Sequence, residues 1–182
     1  MEGIIINLPN LLTIFRLILI PIFLIAFFSP SLNSLLYAVG IFLLAGVTDL
    51  LDGYIARKFN LITKVGIVLD PLADKLMLIT VLTCLVIKSY IPIWMLIIIA
   101  GKEIFMIFCG LFLYKRGTVI PSNIFGKLGT ILFYISILTL SLDKALGIYL
   151  LYISIAAALV AFFNYLIVYK AKSNNDDHNL KQ

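Results

Sequence analysis

The sequence predicts an all-α integral membrane protein of six transmembrane helices, on three observations. The 182-residue chain is 63% hydrophobic and 13% charged, with mean hydropathy +1.14. A soluble domain would carry about 25% charged residues. Its apolar residues gather into six runs, about 11–28, 35–55, 66–87, 91–113, 125–142 and 146–168, each close to the roughly 20 residues that cross a bilayer. The breaks at 29–31, 57–64, 88–92, 115–121 and 143–144 hold turn-forming or charged residues.

Taken in order, the first run carries Arg16 near its start. It lacks the basic leader and small-residue cleavage site of a signal peptide. The second ends in an acidic stretch that continues into the third. The fourth contains Lys102 and Glu103, the fifth opens at Gly126 and Lys127, and the sixth leads into a polar end. One membrane domain, 1–170, is therefore expected, followed by a disordered tail, 171–182. Cys84 and Cys109 lie in apolar runs and read as small hydrophobes. His178, the single histidine, sits in the tail, which argues against histidine-based catalysis.

Basic residues set the orientation. With the N-terminus inside, the inner loops and tail hold Arg57, Lys58, Lys64, Lys115, Arg116, Lys170, Lys172 and Lys181, whereas the outer loops hold Lys88 and Lys144. Both termini are then cytoplasmic. The net charge of +5 reads as an inner-face bias toward anionic membrane lipids, with no nucleic-acid partner.

Four of the seven aspartates fall within 26 residues, Asp49, Asp52, Asp70 and Asp74. This topology puts them at the cytoplasmic ends of two neighbouring helices. At about 100° per residue, Asp49, Asp52, Gly53 and Ala56 share one face, and Gly66, Asp70 and Asp74 form a second stripe. An Asp at a span centre costs on the order of 2.5–3.5 kcal/mol, so four would cost roughly 10–14. Hard divalent cations offset that cost, and an all-carboxylate donor set favours Mg²⁺, Mn²⁺ or Ca²⁺ over zinc. Gly53 and Ala56 leave room for a ligand, and Arg57 suits phosphate oxygens. The combination points to metal-assisted phosphoryl-type transfer. Two alternatives remain at this level: a cation transporter, or carboxylates paired with Lys75, Lys102 or Arg16.

The spacing D-x2-D-G-x2-A-R-x8-G-x3-D-x3-D over 49–74 resembles the signature of the CDP-alcohol phosphatidyltransferases. The six-span plan is similar as well. The resemblance implies two divalent cations, Mg²⁺ or Mn²⁺, held by Asp49, Asp52, Asp70 and Asp74. It also implies that Asp74 is the base for the acceptor hydroxyl, and that Gly53, Ala56, Arg57, Thr63 and Gly66 contact a CDP-linked lipid such as CDP-diacylglycerol. The polar cavity would lie at the cytoplasmic boundary of a bacterial inner membrane, open to lipid and to water. Homodimers, common in the family, are expected by the same resemblance.

The opening run with Asn10, Thr13 and Arg16 resembles the bacterial members that use glycerol 3-phosphate as acceptor. There Asn10 and Thr13 would help hold the nucleotide, although both are also ordinary helix-start residues. Lys102, Lys115, Arg116 and Lys127 are candidates for the acceptor phosphate. For Lys115 and Arg116 a plain positive-inside loop is the alternative. Two departures bear on the acceptor. Lys102 stands where those members usually have Arg, and Leu128 and Gly129 follow Lys127 where they usually have Lys and Thr. Phosphatidylglycerol and an inositol phosphate therefore stay open beside glycerol 3-phosphate.

Overall fold

Peptide groups in hydrocarbon have no water to bond, so an apolar chain satisfies them internally by coiling. The computed structural model describes residues 8–59, 63–115 and 124–179. Six helices follow in order: α1 (Leu8–Phe27), α2 (Ser34–Lys58), α3 (Lys64–Ile87), α4 (Ile93–Lys115), α5 (Ile124–Leu142) and α6 (Lys144–Asn179). Their ends lie within three residues of the predicted runs, except the end of α6. Among the described residues, Leu8–Phe27, Ser34–Lys58 and Lys144–Asn164 are long and apolar enough to cross a membrane, and Leu128–Leu142 is a shorter apolar helix. Lys64, Asp70, Asp74 and Lys75 interrupt the first half of α3.

The polar segment expected to be disordered from 171 instead continues α6 as far as Asn179. Residues 170–179 contain neither Pro nor Gly, so nothing in them terminates a helix already propagating from the apolar part.

The chain divides into two compact units, Met1–Ile91 and Pro92–Gln182. In the first, α1 packs closely against both α2 and α3, while α2 and α3 scarcely touch. The one-turn spacing of Leu19, Phe23 and Phe27 puts all three on the buried side of α1, with the Phe23 and Phe27 rings stacked at 5.7 Å. Ala38, Val39, Phe42 and Ala45 form the buried side of α2. Ile18, Ile22, Ile25, Leu44 and Val47 point outward, as lipid-facing residues do. A left-handed Ser89, φ 56°, ends α3, with the Ser89 and Tyr90 amides bonded back to the Val86 and Leu85 carbonyls.

In the second unit, α5 and α6 form a hairpin joined by Asp143 alone. The Asp143 carboxylate accepts from the Ala145 and Leu146 amides at 2.9 and 3.1 Å, which caps α6. So short a link requires small residues where the helices meet. Gly129 lies against the Ala158 backbone, and a Cβ on Gly147 would come within 2.3 Å of the Leu140 Cα. α4 adds an edge-to-face contact of Phe105 with Phe162, ring centroids 5.5 Å apart.

Because the atom that a Cβ would strike is backbone, Gly147→Ala should lower stability by about 1–3 kcal/mol. A thermal melt in detergent checks this, and an unchanged melting temperature would mean that the two helices do not approach so closely.

Candidate active site

The polar residues of the first unit are organised by α1. Asn10, Thr13 and Arg16 recur every three residues and so lie within about 120° on one side of the helix. All three are buried. Each reaches a different part of the acidic stretch.

Arg16 is 1% exposed. Its Nη2 donates to Oδ2 of Asp52, itself buried. Its Nη1 stands 2.6 Å from Oδ1 of Asp49. That contact is an ion pair without hydrogen-bond alignment, since neither Nη1 nor Nε makes a hydrogen bond among the described residues. Both carboxylates of α2 are therefore held by one guanidinium.

Thr13 faces α3. Its hydroxyl is shared between the Pro9 carbonyl, at 3.1 Å, and Oδ1 of Asp70. Asn10 reaches the start of the same helix, where its Oδ1 accepts from the Thr63 hydroxyl at 3.0 Å. Thr63 is the N-cap of α3, accepting from the Gly66 amide at 2.9 Å. A Cβ at Gly66 would lie 2.9 Å from Oδ1 of Asn10 and 3.0 Å from Oγ1 of Thr63. Glycine is needed there because two side chains close over it.

These contacts fix helix directions. Arg16 meets Asp49 and Asp52 late in α2, and Asn10 and Thr13 meet Thr63 and Asp70 early in α3. The starts of α1 and α3 and the end of α2 thus share one end of the unit. Among the described residues, α1 holds both halves of the acidic stretch at this end of the unit. Asp49 also lies within electrostatic reach of Asp70 and Asp74. Asp74, one turn further along α3, has 38% of its side chain exposed and lies 3.7 Å from the Lys75 ammonium.

Among the described residues Gly53 has only Nη2 of Arg57 near its Cβ position, at 3.7 Å, so none of their packing demands glycine there. Arg57 is exposed and Ala56 half-buried. The donor set is all oxygen and suits a hard cation in kind. Among the described residues, however, no three such groups converge on one ligating point. Arg16 and Thr13 hold three of the four carboxylates.

The sequence profile of the CDP-alcohol phosphatidyltransferases matches residues 6–163. The chain belongs to this family. As a CDP-alcohol phosphatidyltransferase it is an enzyme that transfers phosphatidyl groups. Its relatives include proteins named CDP-diacylglycerol–glycerol-3-phosphate 3-phosphatidyltransferase. That of Bacillus subtilis (strain 168) is 39% identical over 137 residues, 68% of this chain and 70% of the relative. That of Rickettsia bellii (strain RML369-C) is 38% identical over 146 residues, 79% of this chain and 81% of the relative. That of Wigglesworthia glossinidia brevipalpis is 33% identical over 172 residues, 89% and 94% of the two chains.

In the other half of this phosphatidyltransferase, Lys102 lies 2.7 Å from Oε1 of Glu103, and Glu103 is 2% exposed. Neighbouring helix positions point about 100° apart and do not ordinarily face each other. The four-carbon lysine stem bends back across that angle, since in apolar surroundings each charge has more to gain from the other than from its own rotamer freedom. Arg116 lies outside the described residues, and only the helical backbone of Lys115 and Lys127 is described.

Removing Arg16 would leave the buried Asp52 uncompensated. Arg16→Leu should therefore lower stability in EDTA by about 3–5 kcal/mol, and adding Asp49→Asn and Asp52→Asn should recover most of that loss. Denaturant unfolding in detergent measures both. A triple variant no more stable than Arg16→Leu would show that the loss comes from packing and not from charge.

Proposed function

We propose that this chain transfers the phosphatidyl group of CDP-diacylglycerol to glycerol 3-phosphate, giving phosphatidylglycerophosphate and CMP. The observation that carries this reading is the convergence of the acidic stretch on one end of a three-helix unit, in a chain whose relatives over most of its length bear that activity in their names. The enzyme would sit in a bacterial inner membrane as a homodimer, with both termini and the site toward the cytoplasm. The basic residues of the inner loops support that orientation.

Asp49, Asp52, Asp70 and Asp74 would hold two divalent cations, Mg²⁺ or Mn²⁺. When bound, such cations neutralise the diphosphate and the charge that grows on the leaving CMP. Arg57, exposed at the end of α2, would bind phosphate oxygens, and Gly53 and Ala56 would give the CDP moiety close access. Asn10, Thr13, Thr63 and Gly66 would shape the nucleotide side of the site. In this structure their contacts join α1 to the start of α3. Asp74 contacts neither Arg16 nor Thr13 among the described residues. This supports Asp74, rather than the other three, as the base that accepts the proton of the acceptor hydroxyl as that oxygen attacks phosphorus. Lys102, Lys115, Arg116 and Lys127 would supply positive charge for the acceptor's own phosphate.

The direct test is CMP release by purified protein supplied with CDP-diacylglycerol, Mg²⁺ or Mn²⁺, and a panel of acceptors, with the lipid product identified. Release with glycerol 3-phosphate is expected. Product formed only with phosphatidylglycerol or an inositol phosphate would reassign the acceptor, and no release with any alcohol would sink the enzyme reading. Asp74→Asn should reduce turnover by at least about 100-fold, in the range of a general base, while CDP-diacylglycerol binding persists; near wild-type turnover would remove Asp74 from that role. Lys127→Ala should raise KM for glycerol 3-phosphate far more than KM for CDP-diacylglycerol. Equal effects on both would place Lys127 outside the acceptor site.

A further inference from the structure

Arg16 belongs to none of the roles above, although it is the most buried charged group of the site. We infer that Arg16 is a built-in counter-ion, which neutralises Asp49 and Asp52 while the site is empty and competes with divalent cations for the same carboxylate oxygens. This rests on the cation-binding reading of the acidic cluster.

Three observations carry it. Arg16 contacts both acidic groups of α2 and neither of those on α3. It is therefore matched to one half of the proposed ligand set. Asp52 is 3% exposed, so its charge needs a partner whether or not a cation is present. A guanidinium fixed beside it supplies one at every stage. The geometry is also that of an exchangeable partner. A structural Arg–carboxylate pair favours two parallel hydrogen bonds to one carboxylate. Here the fork is split between two carboxylates, Nη2 donating to Asp52 and Nη1 standing 2.6 Å from Oδ1 of Asp49, so neither carboxylate has both of its oxygens engaged by the guanidinium.

The consequence is thermodynamic. A cation entering alone has to displace the guanidinium, so its affinity is lowered by the strength of the pair. Bare cations are then held weakly until a diphosphate adds negative charge. Arg16 acts in this way through Asp49 and Asp52 and is a positioning residue.

The test is a Mn²⁺ titration of the detergent-solubilised full chain without nucleotide or lipid substrate. Free Mn²⁺ is read by electron paramagnetic resonance, and the melting temperature is recorded with EDTA and with Mn²⁺. Arg16→Gln should bind Mn²⁺ at least about tenfold more tightly than wild type. Its Mn²⁺-induced rise in melting temperature should exceed the wild-type rise by about 3–5 °C at saturating metal. Arg16→Lys, which keeps the charge but not the fork, should fall between the two and serves should Arg16→Gln fail to fold. A variant melting lower by the same amount in EDTA and in Mn²⁺, with unchanged Mn²⁺ affinity, would show that Arg16 is a structural bridge only. Weaker Mn²⁺ binding would overturn the competition outright. Wild-type protein that binds no Mn²⁺ would refute the cation reading itself.

Discussion

A guanidinium buried beside two carboxylates is the constraint on which the first unit depends. Among the described residues α2 and α3 scarcely touch, and α1 ties the two halves of the acidic stretch together. Arg16 sets the position of α1 against α2, and Asn10 and Thr13 set it against α3. A buried ion pair is weak evidence of net stability, because desolvation consumes most of its attraction. Its effect here is positional. Sliding α1 by one turn would leave Asp52 with no partner, and that arrangement is excluded by several kcal/mol.

Such pinning matters more in a membrane than in water. Apolar faces pack against lipid tails nearly as well as against each other, so burial alone discriminates poorly between arrangements. The two units answer this differently. The first fixes its helices with polar contacts that converge at one end. The second uses close approach, with Gly129 and Gly147 letting α5 and α6 meet backbone to backbone and Asp143 capping the turn.

The carboxylates consequently differ in character. Asp52 is buried against Arg16, Asp49 is paired with Arg16 but partly open, Asp70 is tied to a hydroxyl, and Asp74, as open as Asp49, lies 3.7 Å from the Lys75 ammonium. A cluster of four equal ligands would be symmetrical. Asp74 is the one of the four that neither Arg16 nor Thr13 holds, and Asp52 is the most enclosed.

The sequence by itself determined the helices and the donor chemistry. Apolar runs of bilayer length are local features, and so is the spacing from Asp49 to Asp74, because one helix turn puts nearby residues on one face whatever surrounds them. It also singled out Arg16 as a charge with no place in lipid. Tertiary structure alone decided what Arg16 meets. Residues 16, 49 and 52 are joined by the path of the chain through a turn, and no local periodicity encodes that path. The same holds for Thr63 and Gly66, whose cap and clearance are explained by Asn10 on another helix. The Lys102–Glu103 pair and the continuation of α6 to Asn179 have a different origin. There a general rule about facing positions or polar composition gave way to the strength of two charges in an apolar setting, and to the absence of any residue that stops a helix.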